Sequence, residues 1–264
     1  MKNILPFMKS DPVVNVVRLQ GAITTTGRGL DDPSLAAVLQ KAFTKGSPKA
    51  VALQINCPGG SPVQSSLIAA RIRRLSQEKN VPVYAFVEDV AASGGYWLAC
   101  AADEIYADQG SIVGSIGVIS AGFGLHDLIG RYGVERRVHT AGTSKSMLDP
   151  FRPEKEEDVT RLKGWLDDLH GIFIDYVKSR REAHLDDDPA IFSGEVWIGQ
   201  KAVDKGLVDG LGHLIPVMKA EFGDKTRFRR YGPKKSLFQR LGARIIGDAI
   251  GTVEDRAAFA RFGL

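Results

Sequence analysis

Apolar residues follow two rhythms along this chain, and their order predicts the architecture. Val13 to Leu19, Ala50 to Ile55 and Val81 to Val87 are short apolar runs that read as strands. Between them the spacing changes. After Pro33 and Ser34, Leu35, Val38, Leu39 and Phe43 fall on one helical face, and from about Gln64 to Lys79 a second helix is predicted with Leu67, Ile68, Ile72 and Leu75 inward. Strand, turn and helix alternate, which predicts an α/β fold whose strands are joined by right-handed crossover helices. Asp103 to Ala107 adds a short strand, and Gly110 to Ile119 is an apolar segment punctuated by glycine. Further on, Val159, Leu162, Leu166, Leu169, Phe173 and Tyr176 recur at three- and four-residue steps. They predict a long amphipathic helix from Pro153 to about Arg181, its stripe buried in the core or at a subunit interface.

The pattern breaks at Tyr231-Gly232-Pro233-Lys234-Lys235, dividing a main domain, residues 1–230, from a basic helical tail, residues 231–264. In the tail Phe238, Leu241, Ile245 and Ala249 share one helical face while Arg240 and Arg244 lie elsewhere. Such a helix suits a partner, a neighbouring subunit or an acidic membrane surface.

Composition narrows the function classes. With 264 residues, 44% hydrophobic and 25% charged, the chain is globular rather than disordered. Its net charge of +4 comes from basic residues interleaved with acids, so no nucleic-acid groove is expected. Cys57 and Cys100 have neither metal-ligand nor disulfide spacing, and no HExxH occurs; neither a metal nor a cofactor is expected. Cys100 reads as a buried apolar residue. Residues 1–10 are too short and polar for a signal peptide, and no run reaches the ~20 apolar residues of a membrane span. The expected location is cytoplasmic, with peripheral membrane contact through the tail at most.

Candidate chemistry centres on two residues. Ser93 follows a predicted strand and opens the small, helix-capable stretch Gly94-Gly95-Tyr96-Trp97, so it is expected at a helix start beside unpaired backbone N–H groups that can hold an oxyanion. A nucleophile needs a base. Lys145 lies alone among small and apolar residues in Gly142-Thr143-Ser144-Lys145-Ser146-Met147-Leu148, where burial would favour its neutral amine. Upstream, Pro58-Gly59-Gly60 follows a strand, and its glycines free the backbone to turn sharply and aim N–H groups inward.

In these motifs, and in their order, the chain resembles the SppA-like (signal peptide peptidase A) serine peptidases of the ClpP/crotonase superfamily, from about Val13 to Leu211. The resemblance implies a ClpP/crotonase-like fold and a serine endopeptidase acting through an acyl-enzyme on membrane-derived or apolar peptides. It makes Ser93 the nucleophile, Lys145 the general base and Ser115, in Gly114-Ser115-Ile116-Gly117, the residue that orients Lys145. Gly59, Gly60 and Gly94 become oxyanion-hole donors. It also implies a homo-oligomeric ring or dome with the Ser-Lys pair shared between subunits, and it marks Gly194-Glu195-Val196-Trp197-Ile198-Gly199 as part of the domain's closing segment. Cys57 stands where the family more often has serine. Other readings stay open: a Ser-His-Asp peptidase using His126 and Asp127, a crotonase-type acyl-CoA enzyme, or a non-catalytic membrane-associated scaffold. His139, His184 and His213 show no better company.

Overall fold

The computed structural model describes residues 11–25, 29–181, 183–232 and 256–264. The expected tail helix around Phe238 to Ala249 lies outside them. Its elements run β1 (Val13–Gln20), α1 (Asp32–Thr44), β2 (Ala50–Cys57), α2 (Pro62–Lys79), β3 (Val83–Ala92), α3 (Gly94–Ala99), β4 (Glu104–Ala107), β5 (Ile112–Gly114), α4 (His126–Arg131), α5 (Glu156–Arg181), β6 (Val196–Ile198), α6 (Gln200–Asp204), β7 (Gly210–Leu211), α7 (Leu214–Phe222) and β8 (Arg227–Tyr231). The chain divides into two compact units, one of residues up to 116 and from 176 onward, the other of residues 117–175.

The first unit is built on one sheet. Among the described residues its strands run β6-β5-β3-β2-β1-β8, with β4 beside β3 and β7 beside β4. All pairings are parallel except that of β5 with β6. The apolar runs become parallel strands because both sheet faces are covered, which leaves no place for a polar alternation. On one face Val14, Val16, Ala50, Ala52, Tyr84 and Phe86 close over Met218 of α7. Each such large side chain contributes roughly 1.5–3 kcal/mol by leaving water.

The end of β3 positions the candidate site. Residues 84–87 pair with β4, whereas 90–92 pair with β5, and the register against β2 shifts between Ile55 and Cys57. The strand therefore changes neighbours just before Ser93. Helix α2 approaches the same place through small residues. Ser65, Ile68, Ala69, Ile72, Leu75 and Ser76 form its buried stripe, with Ser65 and Ala69 letting it come close. Leu67, expected inward, is 46% exposed because it falls beside that stripe. The last turn of α5 then secures α3: Arg180 donates to the carbonyls of Cys100 at 2.9 Å and Ala102 at 2.8 Å. Tyr176 stacks on Trp97 with ring centroids 4.8 Å apart. Arg181, buried, donates to Asp209 at 2.8 Å and to the Gly206 carbonyl at 2.8 Å.

The second unit holds α4 and residues 156–175 of α5, linked by irregular chain. Asp149 pairs with Arg136 at 3.2 Å and accepts from the Phe151 N–H at 3.0 Å, a bond that chiefly holds its carboxyl below the usual range. The α5 stripe is partly covered here, with Val159, Leu162, Leu166 and Leu169 half-buried. Phe123 and Tyr132 are 86% and 79% exposed.

Candidate active site

Ser93 is the cap residue of α3, and its backbone is strained. With φ 52° and ψ −122° it occupies a left-handed region that serine rarely enters, at a cost of roughly 1–3 kcal/mol. The strain comes from a strand that must turn at once into a helix, the arrangement that lifts a nucleophile clear of its sheet. Serine at a helix start ordinarily spends its hydroxyl on capping; Ser93 makes no such bond. Its Oγ is therefore uncommitted to the helix. α3 has only six residues, so no long helix dipole acts at Ser93.

Ser115 has come to the same place by the same route. The Ser93 N–H donates to the Gly114 carbonyl at 2.8 Å, and Ala92 pairs with Gly114 across β3 and β5. Ser93 and Ser115 are thus the next residues on adjacent parallel strands, and Ser115 is likewise left-handed at φ 53°. Its N–H is held by the Glu195 carbonyl at 2.6 Å, tying the closing segment to the site. A Cβ on Gly114 would lie 3.0 Å from that carbonyl oxygen and 3.2 Å from Trp197, so this glycine serves close packing.

The Pro-Gly-Gly turn is in contact with Ser93. A Cβ on Gly59 would stand 2.8 Å from the Ser93 Cβ and 3.0 Å from the Gly94 nitrogen, while Gly59 and Gly60 have φ of +106° and +141°. Gly95 is equally constrained, since its Cβ would lie 2.1 Å from the Cys57 carbonyl oxygen. Gly59 and Gly95 thus let the end of β2 and the start of α3 touch, whereas Gly60 is crowded by Ile23 and Gly94 by Ser65 and Ile23. Ser93, Ser115, Gly59, Gly60 and Gly94 are therefore gathered in the first unit.

Lys145 lies in the second unit, in a turn where its N–H donates to the Gly142 carbonyl at 3.3 Å. It is exposed within the single chain, contrary to the burial expected from its small and apolar sequence neighbours. Of those neighbours, Gly142 to Ser144 are themselves exposed, and Ser146, Met147 and Leu148 are only half-buried. His126 and Asp127 are exposed at the start of α4. Both cysteines are buried, and burial pushes the Cys100 thiol from 9.0 up to about 12.

Sequence reasoning missed two features. His213 stands 2.7 Å from Asp108, a partner 105 residues away. This pair borders a pocket of about 450 Å³ that also includes Arg18, Gln54, Glu88 and Asp89. Arg18 and Gln54 both bond Glu88, and Asn56 donates to Asp89, so both carboxylates have partners. The second feature is Ile23, which makes backbone bonds to both Gly59 and Ser61. No side-chain signal marks it. Among the described residues no helix is long and apolar enough to cross a membrane, and no cluster of His, Cys, Asp or Glu could hold a metal.

Comparison with known proteins agrees with the expected architecture and family. A mutant of the 1510-N membrane-bound stomatin-specific protease in complex with a substrate peptide has the same α/β fold. It is 16% identical, with a TM-score of 0.56 over 92% of this chain and 99% of that one. The whole chain is 46% identical to part of the Na(+)/H(+) antiporter NhaA of Brucella melitensis, spanning 39% of its length. Over 76% of the chain, it is 31% identical to the chloroplastic serine protease SPPA of Arabidopsis thaliana, of which it covers 29%. The model of peptidase family S49 matches residues 75–221, a stretch that contains Ser93, Ser115 and Lys145. With more than half of its length matched in this way, the chain belongs to peptidase family S49.

Proposed function

We propose that the chain is a serine endopeptidase that cleaves apolar peptides through a Ser-Lys pair and an acyl-enzyme. The observation that carries this reading is the uncommitted Ser93 hydroxyl on a strained strand-to-helix turn, pressed against Gly59 and Gly94. In the first step the neutral amine of Lys145 takes the Ser93 Oγ proton as Oγ attacks the peptide carbonyl carbon. The tetrahedral oxyanion is held by backbone N–H groups of the Gly59-Gly60 turn and Gly94. Lys145 then gives its proton to the leaving nitrogen, the C–N bond breaks, and an ester to Ser93 remains. Water, deprotonated by Lys145, hydrolyses that ester and restores both residues. Ser115, beside Ser93 at the end of the neighbouring strand, orients the lysine.

The exposure of Lys145 favours a homo-oligomer in which the Ser93 of one protomer is served by the Lys145 of another. A partner would remove water from the lysine and also cover Phe123 and Tyr132 of the same unit. Reassembling dissociated Ser93→Ala and Lys145→Ala proteins together tests both the pair and its sharing. Each variant alone is expected to be inactive, and the mixture to regain part of the wild-type rate. Near-native turnover by Lys145→Ala would rule out the pair. A mixture that stays inactive, although wild-type protein survives the same treatment, would place both residues of the pair in one chain.

A further inference from the structure

Ile23, in the segment between β1 and α1, carries no reactive group, yet it meets both glycine motifs. Its N–H donates to the Gly59 carbonyl at 2.8 Å, and its own carbonyl accepts from the Ser61 N–H at 2.9 Å. These bonds flank Gly60 and make a parallel bridge between Ile23 and Gly60, while Ile23 also bridges Leu30. The contact is close. A Cβ on Gly60 would lie 2.0 Å from the Ile23 carbonyl oxygen, and Ile23 is only 2% exposed. Its side chain faces the other motif, with Cδ1 3.1 Å from where a Cβ on Gly94 would stand.

A peptide between two glycines has no side chain to fix its rotation, so something else must select which way it faces. The Gly59–Gly60 peptide is trans, and a trans peptide holds its C=O and its N–H on opposite sides. Drawing the Gly59 carbonyl toward Ile23 therefore turns the Gly60 N–H away from Ile23. The Gly60 nitrogen lies 3.4 Å from the Cβ position of Gly94, beside the other N–H donor. We infer that Ile23 is a positioning residue: its backbone aims the Gly60 N–H, its side chain seats Gly94, and together they align the two oxyanion donors. The inference rests on the reading of Ser93 and the glycine turn proposed above. Ile23 acts only through those glycines.

The test uses the full chain, a fluorogenic peptide ending in leucyl coumarylamide, and the matching peptidyl leucinal, whose adduct with a serine carries an oxyanion. Active sites are counted with a fluorophosphonate so that rates refer to competent enzyme. Ile23→Pro deletes the N–H and is expected to lower kcat by about 100-fold, with aldehyde affinity falling in proportion and KM unchanged. Ile23→Ala keeps the N–H but loses the seat of Gly94, and a fall of about 10-fold in both quantities is expected. Ile23→Val should restore both to within about twofold of wild type. A merely structural role would lower the melting temperature and the active-site count but leave kcat per site and aldehyde affinity untouched. Should Ile23→Pro fail to fold, Ile23→Ala decides, and a folded Ile23→Ala with wild-type kcat and aldehyde affinity overturns the inference. Ser93→Ala is assayed in parallel. Wild-type turnover in Ser93→Ala would remove the reading of the site and this inference with it, whereas an inactive Ser93→Ala beside unimpaired Ile23 variants would remove the inference alone.

Discussion

Gly59→Ala places one methyl group against the proposed nucleophile. The new Cβ would stand 2.8 Å from the Ser93 Cβ, 2.9 Å from the Ala92 carbonyl oxygen and 3.0 Å from the Gly94 nitrogen, at a φ of +106°. Two of these neighbours are backbone atoms, at the buried end of β3 and the start of α3, so the turn rather than these elements must give. The strained conformation costs roughly 1–3 kcal/mol, and forcing a methyl into filled space costs typically ~1–3 kcal/mol. Together they remove on the order of 2–6 kcal/mol from a total stability of about 5–15 kcal/mol, so the variant is expected to fold with a lowered urea midpoint. Movement of the turn would also misplace the oxyanion donors proposed there, and turnover should fall by about 10²–10³-fold. Gly171→Ala is the matched control, because that helical glycine has nothing within 4 Å of its Cβ position. It should gain about 0.5–1 kcal/mol. Urea melts and peptide turnover of both proteins check the argument. Gly59→Ala with wild-type turnover and a midpoint equal to wild type would refute it.

Other outcomes follow from single features. Arg181→Met removes the buried guanidinium that Asp209 pairs with, but the Asp209 carboxylate is half-buried and keeps the bond from the Ile105 N–H, so the loss should be ~1–3 kcal/mol in urea melts, and Arg181→Met with Asp209→Leu should recover part of it. Cys100 bears on pH: its folded pKa is raised, so its contribution is complete below pH 9.0 and is lost as pH rises toward about 12. Between pH 9 and 10.5 wild-type protein should lose about 2 kcal/mol more than Cys100→Ala, and equal slopes in the two proteins would contradict the burial of that thiol. Tyr84, also pushed up to about 12 chiefly by burial, acts in the same direction above pH 10.0. Deleting residues 236–264 should abolish flotation with anionic vesicles while peptide hydrolysis continues; unchanged flotation would remove the proposed membrane role of the tail.

What could be read in advance depended on where each interaction stores its signal. The strands were legible because burial on both faces demands apolar runs, and the Gly59-Gly60 turn because only glycine tolerates the φ values observed there. Leu67 was misread because periodicity marks an apolar stripe without saying that Ser65 and Ala69, being small, lie at its closest approach. The environment of Lys145 was misread for a related reason: apolar neighbours in sequence bury a lysine only if they are themselves buried, and Met147 and Leu148 are only half-buried. His213 and Asp108 are joined by topology, which brings the ends of β4 and β7 together, and no local pattern encodes that meeting. Ile23 is the most instructive omission. Every residue but proline has both an N–H and a C=O, so a residue that works through them can look unremarkable in composition, spacing and chemistry. The glycines carry the converse of that interaction: Gly60 has no side chain because the Ile23 carbonyl occupies the space. A glycine pair next to a candidate nucleophile is therefore evidence about two backbones, and the second must be sought in the fold.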